Sequence, residues 1–334
     1  MTRPAVVRSG AVTGIGSLPF RSPAEAIDAV AAGSPEIPFW PQLPARSEHE
    51  SIVGQGLGIL AGLLEPRNQG YGYQVADGKI DRVVDALHRS NGELTPANAA
   101  GFTAFHQAIH LGQFPSATAV KGQIEGPITL ASYLFYKGRP FLSDPALYAA
   151  LAFHISQIVH WQIERLQTAG LPVLLFIDEP ALCLDLPPGA LDALTTILET
   201  ARRSGAHAGL HCCAPNPFSR MCQVRPDILS FDAHQGLEQF FSHPDAMAFA
   251  KSGGIVAYGL IPTLQALAPV RAQQIFARWL TLASRAGNAS EFARNSMVTA
   301  TCGLGLVNPS TVIQSFALAQ SVGKRFGTLA NAGE

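Results

Sequence analysis

Short apolar runs alternate with longer amphipathic stretches along most of the chain. Eight runs are bounded by turn residues and contain β-branched residues, as buried strands do. They lie at residues 11–18, 37–43, 119–124, 173–177, 206–212, 228–231, 255–260 and 298–302. Apolar positions recur at helical spacing between them, as in residues 144–169, 190–204 and 270–286. This alternation predicts a parallel sheet covered by helices.

The number of strands favours a closed barrel over an open doubly wound sheet. An open dinucleotide-binding sheet carries a G-x-G-x-x-G turn after its first strand. This chain instead has Gly14-Ile15-Gly16-Ser17-Leu18-Pro19 there. More than seventy residues separate the second and third predicted strands, too many for one crossover helix. We therefore predict an α/β fold in which residues 1–334 form a single (β/α)8 TIM barrel. An insertion at about residues 45–117 would include a hairpin around residues 70–81.

The composition is that of a globular protein with a large core. Apolar residues make up 47% of the chain and charged residues 14%, against a usual charged fraction of about 25%. The 23 basic and 24 acidic residues form no basic stripe, so neither nucleic acid nor a membrane surface is an expected partner. No signal-peptide pattern is found, and the apolar run 57–64 is too short to span a bilayer. We expect a cytoplasmic protein.

Polar residues follow several predicted strands at the edge that carries the active site of a (β/α)8 barrel. In chain order they are Asp178, Glu179, His211, Cys213, Asp232 and Cys302. Because side chains alternate along a strand, His211 and Cys213 should share one face while Cys212 points toward the helices. One imidazole, two thiols and the Asp232 carboxylate form a ligand set suited to tetrahedral zinc.

A ligand set rich in sulfur favours activation of a thiol over activation of water. Two thiolates and one carboxylate give the site a net charge of about −1, which keeps a zinc-bound substrate thiolate electron-rich. The predicted substrate is therefore a thiol. Simpler interpretations stay open, because a buried Cys is often a small apolar residue and Asp232 could only cap the next helix. Cys183 and Cys222 are expected to be structural.

Six segments of the chain also resemble one enzyme family in the same order. They are residues 13–19, 125–129, 177–182, 211–213, 230–232 and 302–304. Together they resemble the catalytic C-terminal half of cobalamin-independent methionine synthase, in the superfamily that includes uroporphyrinogen decarboxylase. The resemblance implies a barrel, a zinc ion and homocysteine as the methyl acceptor. By position, Ile15, Gly16 and Ser17 would cradle the carboxylate of the amino acid, and Asp178 would bind its ammonium group.

Several departures from that family concern the methyl donor. Asp232 stands where the family has a Glu ligand, and Tyr133 stands where a Trp stacks on the folate. The run 258–261, Tyr-Gly-Leu-Ile, replaces a Tyr-Asp-Ile-His run that protonates the folate nitrogen. The family's His-Gly-Glu segment and its N-terminal half find no match. An amine leaving group needs a proton and a cobalt(I) corrinoid does not, so the expected donor is methylcobalamin or a methylated corrinoid on a partner protein.

Some assignments keep alternatives. Asp178 is expected in the catalytic site, where it orients the acceptor, while Glu179 either turns inward toward the substrate or caps the loop at Pro180. Another thiol, such as coenzyme M, could be the acceptor. A uroporphyrinogen decarboxylase-like reaction would need arginines near the first strands to hold several carboxylates. A non-catalytic zinc or corrinoid carrier is the remaining alternative.

Overall fold

The strands belong to two sheets. The structure, a computed structural model, describes residues 6–68, 70–263 and 271–332. In chain order the strands are β1 (Ala11–Val12), β2 (Leu64–Pro66), β3 (Tyr73–Val75), β4 (Val120–Glu125), β5 (Leu134–Tyr136), β6 (Arg139–Pro140), β7 (Val173–Asp178), β8 (His207–Cys212), β9 (Ile228–Phe231), β10 (Ile255–Ile261) and β11 (Ser296–Ala300). The large sheet is parallel throughout, in the order β1-β11-β10-β9-β8-β7-β4. The small sheet has the order β2-β3-β5-β6.

Helices alternate with the strands of the large sheet. They are α1 (Pro23–Gly33), α2 (Ile52–Leu57), α3 (Ile80–His88), α4 (Ala100–His110), α5 (Pro127–Tyr133), α6 (Pro145–Gln167), α7 (Ala190–Arg203), α8 (Phe218–Gln223), α9 (Ala233–Ser242), α10 (Pro244–Lys251), α11 (Ala272–Ala286), α12 (Ala289–Arg294) and α13 (Pro309–Asn331). The local sequence determines where several helices begin. Asp144 caps α6 and Asn308 caps α13, and each is followed by a proline at the first helical position. Val270, where one helix was expected to begin, lies outside the described residues. Within the described ranges, no helix combines the length and apolar character that crossing a bilayer requires.

The segment 37–43 continues the backbone pairing between β1 and β4. Phe39 forms a parallel bridge with Lys121 of β4, and Gln42 forms one with Ser17, beyond the end of β1. The predicted second strand is therefore present as two isolated bridges. Pro38 and Pro41 explain this, because a proline has no N–H to donate to a neighbouring strand. The α/β class and a curled parallel sheet are confirmed, and the arrangement is compatible with a (β/α)8 barrel.

The inner face of the curled sheet has an apolar layer below a polar one. Leu174, Phe176, Ile228, Ala257 and Met297 belong to the apolar cluster. Because side chains alternate along a strand, the inward positions nearer the carboxyl ends follow from these. They are buried polar residues, namely Lys121, Gln123, Glu125, Asp178, His211, Ser230 and Thr299. The apolar layer stabilises the sheet, and the polar layer carries the candidate chemistry.

Residues 45–117 contain α2, β2, β3, α3 and α4. β2 and β3 pair antiparallel on either side of a turn that includes Gly70 and Gly72, both at positive φ. The hairpin predicted around residues 70–81 thus lies a few residues earlier in the chain. β3 pairs in parallel with β5, which joins this hairpin to the segment after α5. The boundaries of the predicted insertion and the single domain stay predictions.

Candidate metal and substrate site

The two thiols of the predicted metal site lie side by side. Cys213 follows β8 directly, and Cys302 lies two residues after the end of β11. Their Sγ atoms are 3.9 Å apart. Two thiolates on a tetrahedral zinc, with Zn–S bonds of about 2.3 Å, are separated by about 3.8 Å. The pair therefore has the spacing that a shared zinc ion requires.

His211 presents one ring nitrogen toward the same region. Its Nδ1 shares a hydrogen bond of 2.9 Å with Ser230 Oγ. Its Nε2 is buried and has no hydrogen-bond partner among the described residues. A metal-binding His commonly has one ring nitrogen held by a neighbour while the other coordinates. His211 thus has one ring nitrogen held and the other without a partner, and its role as a metal ligand stays a prediction.

Electrostatic coupling connects the three groups. The Cys213 thiol and the nearby His211 side chain lower the pKa of Cys302 well below the usual value for a thiol. The same interaction with Cys302, together with burial, raises the pKa of Cys213. One sulfur can therefore carry negative charge while the other keeps its proton. Cys212 behaves differently, since it is fully buried in the cluster between sheet and helices, as the alternation predicts.

Asp232 has the simpler of its two expected roles. Its Oδ1 accepts a hydrogen bond of 3.0 Å from Gln235 N and so caps α9. It lines a cleft of about 140 Å³ that Cys213 also lines. In the part of the chain that the structure describes, no group of three or more His, Cys, Asp or Glu side chains is arranged to hold a metal ion. The structure therefore pairs the two thiols, and within the described residues it brings neither His211 nor Asp232 together with them into a ligand cluster.

The segment predicted to cradle the carboxylate is held from two directions. Ile15 O accepts a hydrogen bond of 2.6 Å from Lys121 Nζ. Ser17 O accepts one of 2.8 Å from Leu304 N, which ties the cradle to the loop that carries Cys302. A Cβ at Gly16 would lie 2.5 Å from Gln42 Oε1, so only glycine fits there without a shift. The cradle is thus fixed beside the thiol pair.

Asp178 ends β7 between a buried glutamate and the candidate ligand His211. It is in register with Glu125 of β4 on one side and with His211 of β8 on the other. Both carboxyl oxygens are buried and lack a hydrogen-bond partner within the described residues. Burial raises the pKa of Asp178 to about 6, against the opposing effect of His211 and Lys121. This carboxyl is available to a ligand.

Glu179 turns toward the first turn of α5. Its Oε1 accepts from Ile128 N at 2.9 Å, and its Oε2 accepts from Thr129 N at 2.9 Å and Thr129 Oγ1 at 2.6 Å. Burial raises the pKa of this carboxyl to about 7. Glu179 thus joins the loop after β7 to the start of α5, and its contact with substrate stays a prediction.

Tyr133 and three polar residues complete the region. The half-buried Tyr133 ends α5, with its ring centroid 5.0 Å from that of the exposed Tyr71. Sequence reasoning missed Lys121, Gln123 and Glu125. They occupy every second position of one strand, so a strand with three polar residues on a single face was the signal that could have found them.

Comparison with known proteins adds little to this geometry. No protein-family model matches the chain, and no curated protein matches it. Among solved structures, it is similar to a B12-independent methionine synthase from Shewanella sp. W3-18-1 in complex with selenomethionine, with 15% sequence identity and a TM-score of 0.47. The match covers 64% of this chain and 64% of that chain. A likeness at this level identifies neither substrate nor reaction, so the function rests on the chain's own residues.

Proposed function

We propose that the chain is a methyltransferase that transfers a methyl group to the thiol of homocysteine and so forms methionine. The observation that carries this proposal is the pair of thiols of Cys213 and Cys302, 3.9 Å apart. His211 supports it, because its Nε2 is buried without a partner among the described residues. Two sulfurs and one imidazole at one edge of the sheet are donors that zinc prefers.

His211, Cys213 and Cys302 would hold the zinc ion. Asp232 is the fourth expected ligand, since Gln235 N takes only one of its two oxygens. A bound zinc ion would lower the pKa of the substrate thiol, so that sulfur is present as a thiolate at neutral pH.

The other residues of the site position the acceptor. The cradle formed by Ile15, Gly16 and Ser17 is placed to receive the carboxylate, and Asp178 the ammonium group. The sulfur then forms a bond to the donor's methyl carbon while the bond between methyl and donor breaks, and that electron pair stays with the donor. Orientation of both partners supplies much of the acceleration in such a displacement.

A methylated corrinoid, carried by a partner protein, is the proposed donor in place of methyl-tetrahydrofolate. The sequence from residue 255 to residue 270 contains no Asp, Glu or His. The end of β10 therefore supplies no side chain to protonate an amine leaving group. A cobalt(I) corrinoid leaves without a proton, which suits this edge of the sheet.

A decarboxylase-like reaction has weaker support. It would need arginines beside the polar layer to hold several carboxylates. Arg8 precedes β1, at the opposite end of that strand, and its guanidinium is paired with Glu36. Of the two arginines that follow the first two predicted strands, Arg46 is paired with Glu50, which leaves the exposed Arg21 as a single cation. The function of a thiol methyltransferase fits the described side chains better.

The test combines metal content with methyl transfer. Anaerobically purified wild type should contain about one zinc per chain and form methionine from homocysteine and methylcobalamin. Cys302→Ser should lose both properties, whereas Cys222→Ser, at a half-buried thiol outside the predicted site, should keep them. Turnover with methyl-tetrahydrofolate alone would contradict the proposed donor. A metal-free wild type that does not bind homocysteine would overturn the proposed function.

A further inference from the structure

Two histidines lie on one face of α4, outside the predicted thiol site. His106 and His110 are four residues apart on this helix, a spacing that places both side chains on the same face. Their Nε2 atoms are 3.4 Å apart. Each of these nitrogens also lies 3.1 Å from Oγ1 of Thr168, the residue at which α6 ends. Two nitrogens from one helix and one oxygen from another therefore form a compact triangle.

The dimensions of this triangle suit the coordination shell of a small divalent metal ion. Metal–ligand bonds of about 2.1 Å place neighbouring ligand atoms about 3.0 Å apart in octahedral geometry and about 3.4 Å apart in tetrahedral geometry. The three edges of 3.4, 3.1 and 3.1 Å lie within that range. Two imidazoles at positions i and i+4 of a helix are also the arrangement found in helical zinc sites. The spacing of the three atoms thus suits a single ion.

Neighbouring groups hold the three side chains in place. Thr168 Oγ1 donates a hydrogen bond of 2.6 Å to Arg165 O, which leaves the lone pairs of this oxygen for the imidazoles. The His106 ring stacks on Phe102 with an interplanar angle of 18°. It also makes an edge contact with the other imidazole, with the ring centroids 4.6 Å apart. Donors that are held before binding lose less entropy when an ion arrives.

The local electrostatics favour a metal ion over bound protons. Burial and the charges of His110 and Arg165 lower the pKa of His106, so this ring is neutral at pH 7.5 and has a lone pair to share. Thr168 lies at the carboxyl end of the 23-residue helix α6, and the partial negative charge of that end attracts cations. When an ion binds Nε2 of a neutral imidazole, the ring proton occupies Nδ1, so both rings can coordinate while uncharged.

We propose that His106, His110 and Thr168 form a metal site that binds a divalent ion of the zinc and nickel class and links α4 to α6. Imidazole nitrogens suit such ions, whereas Mg²⁺ and Ca²⁺ prefer oxygen ligands. α4 belongs to the segment 45–117, and α6 packs against β4 and β7 of the large sheet. A bound ion would therefore fasten this segment to the sheet.

This site is separate from the one that carries the proposed function. α6 ends shortly before β7 begins, so Thr168 lies toward the amino ends of the strands. Cys213 and Cys302 follow the carboxyl ends of their strands, at the opposite edge of the sheet. The metal site on α4 thus stands or falls independently of thiol methylation.

Equilibrium dialysis against Ni²⁺ at pH 7.5 tests the site. The wild type should bind one more ion per chain than His110→Gln, whatever number binds at the thiols. Loss of a partner that only orients a ligand already weakens metal binding by about 10- to 100-fold, so loss of a ligand in His110→Gln should weaken it at least tenfold. His160→Gln is the matched control, because His160 is an exposed histidine on α6 that is paired with Glu164, and it should bind as the wild type does.

Urea unfolding supplies a second measurement. Because an ion that binds only the folded protein stabilises it, Ni²⁺ should raise the urea midpoint of the wild type and of His160→Gln more than that of His110→Gln. His110 is exposed, so its replacement should leave the midpoint without metal nearly unchanged. Equal Ni²⁺ binding by the wild type and His110→Gln would overturn the site. Equal losses in His110→Gln and His160→Gln would also overturn it, because binding would then be a general property of surface histidines.

Discussion

Replacement of Glu179 by Gln should destabilise the protein, because it disrupts the link between β7 and α5. The carboxylate accepts hydrogen bonds from Ile128 N, Thr129 N and Thr129 Oγ1. Glutamine has one acceptor oxygen and one NH2 group, so in either orientation the NH2 group faces an N–H donor. At least one hydrogen bond is lost, and one buried N–H is left without an acceptor.

The size of the effect follows from these contacts. Burial raises the pKa of the Glu179 carboxyl to about 7. Because pH 8 lies above this pKa, the carboxyl is mostly ionised at pH 8. A hydrogen bond to a charged group contributes about 1.5–3 kcal/mol, and an unsatisfied buried donor costs about 1–3 kcal/mol. These ranges describe overlapping effects, so we expect Glu179→Gln to lower the free energy of unfolding by about 2–4 kcal/mol.

Urea unfolding at pH 8, followed by circular dichroism, measures this change. Glu199→Gln is the matched control, because Glu199 is exposed on α7, and it should change stability by less than about 0.5 kcal/mol. If Glu179→Gln falls within that same small range, the hydrogen bonds to α5 do not hold this edge of the sheet and the reasoning is refuted.

Two further changes test other parts of the fold. Gly10→Ala should lower the free energy of unfolding by about 3 kcal/mol or more, because the new Cβ would lie 2.2 Å from Gly323 O and the residue has φ +71°. Gly62→Ala is the control, since Gly62 has a similar φ of +74° with open space around it, and it should cost about 1 kcal/mol. Equal losses of the two variants in thermal unfolding would contradict this reasoning. Burial lowers the pKa of His154 to about 4. As the pH falls from 7 to 5 the unfolded chain takes up a proton at this residue and the folded protein does not, so His154 should contribute a loss of about 2 kcal/mol relative to a variant without it. Urea unfolding of wild type and His154→Gln should therefore differ by about 2 kcal/mol in their change between pH 7 and pH 5, and identical changes would show that His154 does not contribute.

Hydrophobic periodicity was sufficient for most of the large sheet. Six of its seven strands overlap closely with predicted runs, because each is buried on both faces and reads as a short apolar segment. The first run, 11–18, shortens to Ala11–Val12 before the loop that carries Gly14 and Gly16. The last predicted run, 298–302, corresponds to β11, which begins two residues earlier and ends at Ala300. Cys302 therefore lies on the loop after β11, where its position depends on tertiary contacts that a periodic pattern does not encode.

The site was predictable to the extent that strand ends meet at one edge of a parallel sheet. That rule places Cys213 and Cys302 in the same region, and the thiols lie together. It does not determine where a side chain turns after its strand ends. Glu179 and Asp178 are neighbours in sequence, yet one accepts three hydrogen bonds and the other accepts none from the described residues. The difference comes from the fold around α5.

The two layers inside the sheet have opposite effects on stability. The apolar layer that includes Leu174, Phe176 and Met297 stabilises the fold. The polar layer destabilises it, since Glu125 and Asp178 are buried with unpartnered oxygens. An ammonium group bound at Asp178, as proposed above, would remove part of that cost, so an amino thiol should stabilise the folded protein more than a thiol without an amino group at equal concentration. The edge that is least favourable for folding is thus the edge at which the proposed acceptor would bind.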